Sequence, residues 1–541
     1  MKKPIRLHLE IQKQGNKSYG LLRTSYREEG KVRHSTHGRL CGMPYAQLRL
    51  IQAALQGKAV VVDSKNAPKT KNSKEYGASR AILKLAKELG LDKTIYARTN
   101  EQWVKDSMAM IVGRLVYAGS KLSLSNRHKD TALWELCGVE GDVDVEEHCY
   151  DVMDRLLQRQ QSIQKKLAAK HFDGNALVLY DITSSYFEGE YKDSRIVKFG
   201  YNRDKKRGHE QMVVGLICTS QGCPIAVEVF PGNTKDETTV VKKIEEIKVI
   251  YKIQELIFVG DRGMVTQANI EKVKDVKGLN LISALTHPQI KKLLEREVIQ
   301  PSLFDESNII EVFDPENQNR RYCLCYNPLT NKRESHTRNA LLEKTRTELN
   351  KIVNSKRKST TPKISARIGM ILSKTKMGKF VEWKVWGGKL KWSFNENLID
   401  TETLMDGCYI ITSDLPKEKM DKHKIVLSYK KLTLVEKAFR NLKTVQLEMR
   451  PVYHKTDDRI RCHVFLCMLA YYLQWHMIQR LQPLFESDGT HKERFWTFEN
   501  VIERLKSIRR EDLHIAGAIS KIVSQPDEDQ QNILNLLQIV L

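Results

Sequence analysis

Two aspartates each follow a short apolar run that predicts a buried strand. The runs ALVLY and LIFVG end directly before Asp181 and Asp261, and unbroken apolar runs of this length are typical of strands buried on both faces. If the two strands are neighbours in one sheet, their carboxylates lie close enough to share a divalent cation, which relieves their mutual repulsion. Either aspartate alone is better explained as a turn or a helix cap. The pair, in a basic chain, favours a nuclease-type metal site.

A third carboxylate occurs among cations in the segment SYKKLTLVEKAFRNLK. Tyr429, Leu432, Glu436 and Lys443 are spaced by three, four and seven residues, which predicts one stripe of a helix, and Arg440 joins that stripe. A carboxylate flanked by cations and a tyrosine suits a site that holds metal and phosphate together. On spacing alone, a solvated helix face with Glu–Arg pairs is the commoner explanation.

The chain is strongly basic, with 90 Lys and Arg against 66 Asp and Glu and a formal net charge of +24. Such an excess indicates a polyanionic partner, most commonly nucleic acid, although a basic surface alone gives the same count. The opening MKKPIRLHLEIQKQ lacks the apolar core of a signal peptide, and the apolar stretch at 464–478 is too polar for a membrane span. The ten cysteines form no CxxC pair, which disfavours zinc fingers and disulfide frameworks. We expect a soluble, intracellular protein without a membrane partner.

Hydrophobic periodicity divides the chain into segments of different predicted structure. The runs MVVGLIC and PIAVEVF predict a hairpin after ALVLY, and later strands alternate with helices, which indicates an α/β fold with a mixed sheet. The predicted segments are a β-containing N-terminal segment at 1–62, a helical domain at 75–172, the first part of the core at 173–286, an insertion at 287–406, the second part of the core at 407–480 and a helical tail at 481–541.

Several motifs together resemble the cut-and-paste DDE transposases of bacterial insertion sequences, in the group with a Tyr-x2-Arg-x3-Glu-x6-Lys signature. The similar stretches are YDITSSYFEGE, GYNRDKKRGHEQMVVGL, PGNTKDETT, VGDRGM, SYKKLTLVEKAFRNLK and RPVYHKTDDRIRCHVFLCMLA. The resemblance spans roughly residues 173–480, and the N-terminal YGLLRTSYREEGKVRHSTHGRL is similar to the opening of one branch of the group.

The resemblance implies a catalytic triad of Asp181, Asp261 and Glu436 that binds two Mg²⁺ ions, with Mn²⁺ as a possible substitute. Tyr429 and Lys443 match the signature Tyr and Lys and are expected to contact DNA. The signature Arg is replaced by Leu432, and its role of holding an end phosphate is open to other cations. The candidates are Arg440, Lys430 and Lys431.

The resemblance also implies an RNase H-like core with a β-rich insertion between Asp261 and Glu436. The expected function is binding of the terminal inverted repeats of a mobile element, cleavage of its ends by metal-dependent hydrolysis, and joining of the 3′-hydroxyls to target DNA. A homodimer on paired ends is expected, in the cytoplasm of a bacterium or archaeon and associated with the nucleoid. The alternatives are a nuclease on the same fold without strand transfer and a catalytically silent DNA-binding descendant.

Further candidate DNA contacts lie outside the signature. Arg203, Lys205 and Arg207 precede the second core strand, beside the predicted active site. The basic stretch 341–380 either follows the DNA backbone or forms a solvated helix face. Trp386, just after it, is a candidate for stacking on a flipped base, although alternating tryptophans on a hairpin more often pack. The helices of 75–172 are expected to recognise the DNA ends, with no reading helix identified.

Overall fold

The computed structural model describes residues 7–14, 17–28, 30–57, 69–172, 175–201, 203, 206, 208–262, 264–273, 276–304, 308–355, 359–445, 447–486, 495–515 and 518–541. The chain divides into two units. The first unit comprises Met1–Tyr76 and Ile508–Gln525, and the second comprises Gly77–Ser507 and Pro526–Leu541.

The strands of the described residues are β1 (Leu7–Gln14), β2 (Lys17–Glu28), β3 (Lys31–Leu40), β4 (Lys69–Glu75), β5 (Asn175–Tyr186), β6 (Gln211–Thr219), β7 (Pro224–Pro231), β8 (Glu255–Gly260), β9 (Leu279–Ala284), β10 (Ile310–Asp314), β11 (Asn317–Tyr326), β12 (Val381–Trp386), β13 (Lys389–Phe394), β14 (Cys408–Ser413), β15 (Arg509–Ile515) and β16 (Ala518–Val523). The α-helices are α1 (Tyr45–Leu55), α2 (Gly77–Glu88), α3 (Leu91–Ile95), α4 (Gln102–Val116), α5 (Lys121–Asn126), α6 (Leu133–Cys137), α7 (Asp151–Gln158), α8 (Gln160–His171), α9 (Asp236–Tyr251), α10 (Gln267–Val273), α11 (His287–Glu295), α12 (Pro328–Val353), α13 (Thr361–Thr375), α14 (Glu396–Thr403), α15 (Lys422–Lys430), α16 (Leu432–Arg440), α17 (Asp457–Arg480), α18 (Gln482–Glu486), α19 (Phe498–Lys506) and α20 (Glu528–Leu537).

Two three-stranded antiparallel sheets form the first unit, with the orders β1-β2-β3 and β16-β15-β4. Helix α1 packs against β1 and β2, where Leu9 and Leu48 are buried. The prediction of a helical tail at 481–541 is wrong for β15 and β16. Their sheet is completed by β4, a partner more than four hundred residues away in the sequence, and local periodicity does not reveal a pairing over that separation.

One eight-stranded mixed sheet organises the second unit, in the order β10-β11-β14-β9-β8-β5-β6-β7. Strand β5 pairs antiparallel with β6 and parallel with β8, which in turn pairs parallel with β9. Every residue of β6 is buried. Helix α17, which contains the apolar stretch at 464–478, packs against β7 and α4. Within the described part of the chain, no helix combines the length and the apolar composition that a membrane span requires.

The insertion differs from the prediction in its boundary and in its composition. Strands β10 and β11 extend the eight-stranded sheet through β14, so the core continues past residue 287 to Tyr326. The segment from 328 to 403 is mainly helical, with α12, α13, α14 and the β12–β13 hairpin, rather than β-rich. It has its own apolar cluster, which includes Leu349, Ile368 and Leu390.

Candidate active site

Asp181 lies within β5, and Asp261 follows directly after β8, the parallel neighbour of β5. Tyr180 of β5 lies opposite Gly260 of β8, so the two aspartates follow at the same level. The condition set in the sequence analysis, that ALVLY and LIFVG be neighbouring strands, is met. The setting of Asp181 differs from the prediction, because β5 continues through it to Tyr186 whereas β8 ends at Gly260. Asp181 therefore lies in mid-strand, beside the point at which its parallel neighbour ends.

Asp181 is a half-buried carboxylate close to other negative charges. Its Oδ1 accepts a hydrogen bond from the backbone N–H of Ile182 at 2.8 Å. Burial raises the pKa of Asp181 to about 7; the hydrogen bond from Ile182 opposes this, Asp261 and Glu436 raise the pKa further, and Arg203 lowers it. Asp181 therefore interacts electrostatically with both other carboxylates, and a nearby cation would favour the ionised forms of all three.

Tyr429 holds the second aspartate. Its hydroxyl donates to Asp261 Oδ1 at 3.1 Å, and the same oxygen accepts the backbone N–H of Arg262 at 2.7 Å. Burial and the charge of Asp261 raise the pKa of Tyr429, and the Arg262 guanidinium opposes that shift. The hydroxyl thus remains a proton donor at neutral pH and orients the Asp261 carboxylate.

Glu436 lies on α16, which packs against β5. The buried residues of α16 include Val435, Ala438 and Phe439, whereas the Glu436 side chain is exposed. The predicted continuous stripe is wrong, because α15 ends at Lys430 and α16 begins at Leu432. Tyr429 is therefore on a different helix from Glu436, and the two side chains act on the aspartates from separate elements.

The two signature positions on either side of Glu436, Leu432 and Lys443, are buried, unlike residues on a solvent-facing stripe of a helix. Leu432 is 8% exposed, and its apolar side chain is part of the packing of α16. Lys443 is also 8% exposed and belongs to a turn of π-helix, Asn441–Val445, that follows α16 directly. It lines a cavity of about 370 Å³ together with Tyr186, Glu188 and Arg450.

The three cations proposed to replace the signature Arg differ in exposure. Arg440, at the end of α16, and Lys430, at the end of α15, are exposed. Lys431, between the helices, is half-buried. Arg440 remains the candidate on the same helix as Glu436.

One residue of the basic loop before β6, Arg203, interacts with the surroundings of Asp181. The backbone N–H of Arg203 donates to the Ser184 hydroxyl at 2.9 Å, and the Arg203 charge acts on Asp181. Lys205 and Arg207 lie outside the described residues. Trp386 lies at the end of β12 with its side chain 84% exposed, so its stacking role stays a prediction.

Two cations near these residues, Arg262 and Arg450, were not predicted from the sequence. The Arg262 charge acts on Tyr429. Arg450 and Lys206 lie over the ring of Tyr186, at 4.7 Å and 5.8 Å from its centroid. Arg262 adjoins Asp261 in VGDRGM and Arg450 opens RPVYH, so position within these motifs was the available signal.

The three carboxylates fit a divalent cation by chemistry. They are hard oxygen donors, and one of them is half-buried beside the other two charges. A tighter group of potential ligands occurs in the described residues at His171, Cys223 and His476, whose donor atoms lie within 4.8 Å of one another. His171 Nε2 is also 3.1 Å from the Tyr472 hydroxyl, which makes this group part of the packing of α17.

Residues 175–473 match the family described as "Transposase DDE domain". No curated protein matches the sequence. Among solved structures, the chain is similar to a cryo-EM structure of a piggyBac transposase synaptic complex with hairpin DNA, at 8% identity and a TM-score of 0.36, over 79% of this chain and 76% of that chain. A similarity this low carries no argument about function. The family match covers more than half of the chain, including Asp181, Asp261 and Glu436, and the chain therefore belongs to the transposases with a DDE domain.

Proposed function

We propose that the protein binds the terminal inverted repeats of its own mobile element, cleaves the DNA ends by metal-dependent hydrolysis and joins the 3′-hydroxyls to target DNA. The observation that carries this proposal is the adjacent placement of Asp181, within β5, and Asp261, directly after the parallel strand β8, with Glu436 on a helix packed against β5. The strand order β7-β6-β5-β8-β9, antiparallel on one side of β5 and parallel on the other, supports an RNase H-like core.

Asp181, Asp261 and Glu436 would hold two Mg²⁺ ions, with Mn²⁺ as a substitute. When bound, such ions supply Lewis-acid activation of the attacking and leaving oxygens at phosphorus. The protein itself supplies positioning. Tyr429 fixes the Asp261 carboxylate, and the positive charges of Arg203 and Arg262 act on this group of residues.

The cavity beside Lys443 is the second part of the proposed site. Its lining includes the cations Lys443 and Arg450, with the Tyr186 ring beneath Arg450. A guanidinium stacked on an aromatic ring is held in orientation and can still form paired hydrogen bonds to a phosphate. Lys443 and Arg450 would therefore bind backbone phosphates, with Glu188 and Glu448 of the same lining limiting the net positive charge there.

A transposon has two ends, and joining both to one target requires two active sites held together. We therefore propose a homodimer on paired end DNA. Light scattering of the complex with end DNA should give two protein chains per complex. A single chain per complex at saturating protein concentration would contradict the dimer without affecting the assignment of the carboxylates.

The triad is tested by replacing each carboxylate with its amide, in Asp181→Asn, Asp261→Asn and Glu436→Gln. Each change removes a metal ligand and leaves the basic surface in place. End cleavage and strand transfer should be lost, while binding to end DNA stays within about threefold of the parent, since phosphate contacts supply most of that affinity. Lys437→Ala on the exposed side of α16 serves as a matched control with normal activity.

The outcomes separate the alternatives. If the parent protein cleaves the DNA ends but does not join pre-cut 3′-hydroxyl ends to target DNA, it is a nuclease. Specific binding with neither reaction would identify a DNA-binding descendant. Near-normal strand transfer by any one of the three amide variants would contradict the triad.

A further inference from the structure

The sheet β1-β2-β3 has one face covered by a helix. Gly20 of β2 faces α1 so closely that an added Cβ would lie 2.9 Å from Leu9 and 3.0 Å from Leu48. The Gln52 side chain of α1 donates to the backbone carbonyl of Leu9 at 2.8 Å. Residues that alternate with Leu9 and Gly20 along the strands therefore point to the opposite face.

That opposite face, here called the open face, carries polar and cationic side chains from all three strands. Its members follow from the pairing of β1 with β2 and of β2 with β3, and they include His8, Glu10, Gln12, Gln14, Tyr19, Leu21, Arg23, Ser25, Arg27, Val32, His34, Thr36 and Arg39. Residues 7–57 contain eight Lys and Arg against three Glu. The single carboxylate of the open face, Glu10, is already ion-paired with Arg23.

Contacts across the strands hold these side chains in fixed positions. The Arg39 guanidinium lies over the Tyr19 ring, 3.9 Å from its centroid. Arg23 Nε donates to the Thr36 hydroxyl at 3.1 Å. Arg27, near the end of β2, is exposed. The open face is thus a prearranged set of hydrogen-bond donors with a positive charge.

We propose that the open face binds the terminal repeats of the element by entering the major groove of duplex DNA. This inference rests on the proposed function, because it assigns end recognition to a particular surface. Three strands span about 10 Å between the outer two, and the major groove is about 12 Å wide and admits β structure. Arginine pairs with guanine in this groove, and threonine contacts the thymine methyl. Duplex RNA is disfavoured, because its deep, narrow major groove excludes such a surface.

Two of the predicted end-binding helices of 75–172, α2 and α4, are less suited to this task. Thirteen of the fifteen residues of α4 are buried, and α4 packs against α17, α6 and α2. Eight of the twelve residues of α2 are buried as well. These two helices have little surface left for a DNA groove.

The test compares two exposed arginines on opposite faces of the same sheet. Arg27 is on the open face, whereas Arg33, opposite Tyr26, is on the face toward α1 and pairs with Glu28 at 2.9 Å. The probe is a duplex that carries the inverted repeat flanking the coding sequence, with a scrambled duplex and the corresponding RNA duplex as references. Affinities of the full-length protein are measured over a range of salt concentrations.

Arg27→Ala and Arg39→Ala should each weaken binding to the repeat on the order of tenfold and reduce its preference over the scrambled duplex. Arg33→Ala should change both affinities less than about twofold. If the Arg27 and Arg39 variants bind the repeat as tightly as the parent does, the open face is not the repeat-binding surface. The proposed function would not be affected by that result. A parent protein without preference for the repeat would overturn both. Equal binding of the RNA duplex would overturn entry into the major groove.

Discussion

The β1-β2-β3 sheet of the first unit and the eight-stranded sheet of the second unit expose their side chains in opposite ways. In the described residues of β1-β2-β3, α1 packs on one face, and half-buried or exposed side chains from three strands, most of them polar, share the other. In the eight-stranded sheet β6 is buried along its entire length. The carboxylates of Asp181 and Asp261 lie where β8 ends beside β5. A function carried by the first sheet is therefore distributed over many side chains. A function carried by the second depends on a few residues in fixed positions.

Conservative exchanges should show this difference most clearly. Asp181→Glu keeps the charge but moves the carboxylate by about one bond length, and a displacement of that size at a reacting centre costs on the order of a hundredfold in rate. Arg27→Lys on the open face keeps the charge and should weaken repeat binding by about tenfold or less. Cleavage assays and binding assays on both variants provide the measurement. A mild effect of Asp181→Glu would show that the carboxylate position is not critical.

The second unit should also respond more strongly to acid, because it buries His454. Burial, followed by the charges of Lys121, Arg459 and Arg114, lowers the pKa of His454 to about 3. The unfolded chain takes up the proton near pH 6.5, so the stabilising contribution is present above that pH and is lost as the pH falls toward the folded-state value. Between pH 7 and pH 5 the loss amounts to about 2 kcal/mol.

Urea unfolding followed by tryptophan fluorescence isolates this effect, since all seven tryptophans lie between Trp103 and Trp496, in the second unit. His454→Asn should reduce the dependence of the unfolding free energy on pH by about the same 2 kcal/mol. His34→Asn, at an exposed position of β3, is the control and should leave that dependence unchanged. An unaltered slope in His454→Asn would show that this histidine does not stay neutral in the folded protein.

The sequence predicted local features of the candidate active site and missed those that depend on distant pairing. Apolar runs predicted β5 and β8, but not the register that sets Tyr180 opposite Gly260. Strand β11 joins the core through β14, more than eighty residues later, and no local pattern distinguishes that pairing from a separate domain. The break between α15 and α16 at Lys431 occurs without Gly or Pro, the residues that usually reveal a helix end.

A smaller effect is expected from the tyrosine that positions Asp261. Tyr429→Phe removes the 3.1 Å hydrogen bond to the carboxylate and leaves the ring in place, so cleavage should fall roughly tenfold, as for a hydrogen bond to a charged group. Repeat binding should be unchanged. Tyr26→Phe on β2, where the side chain is 49% exposed, is the control and should alter neither quantity. Normal cleavage by Tyr429→Phe would show that the backbone N–H of Arg262 is sufficient to position Asp261.

The smallest effect concerns the arginine proposed to replace the signature residue. Arg440 is exposed at the end of α16, where a guanidinium can pair with the phosphate next to the reacting one. Arg440→Ala should lower strand transfer on repeat ends by about threefold to tenfold, with little change in binding to unrelated DNA, because the contact is local. A general backbone contact would instead weaken binding to all duplexes and reduce the salt slope by about one. Leu432→Arg should not restore the loss, since position 432 is buried in the packing of α16 and an unpaired guanidinium there destabilises the fold. Rescue of Arg440→Ala by Leu432→Arg would show that the signature position still faces the DNA.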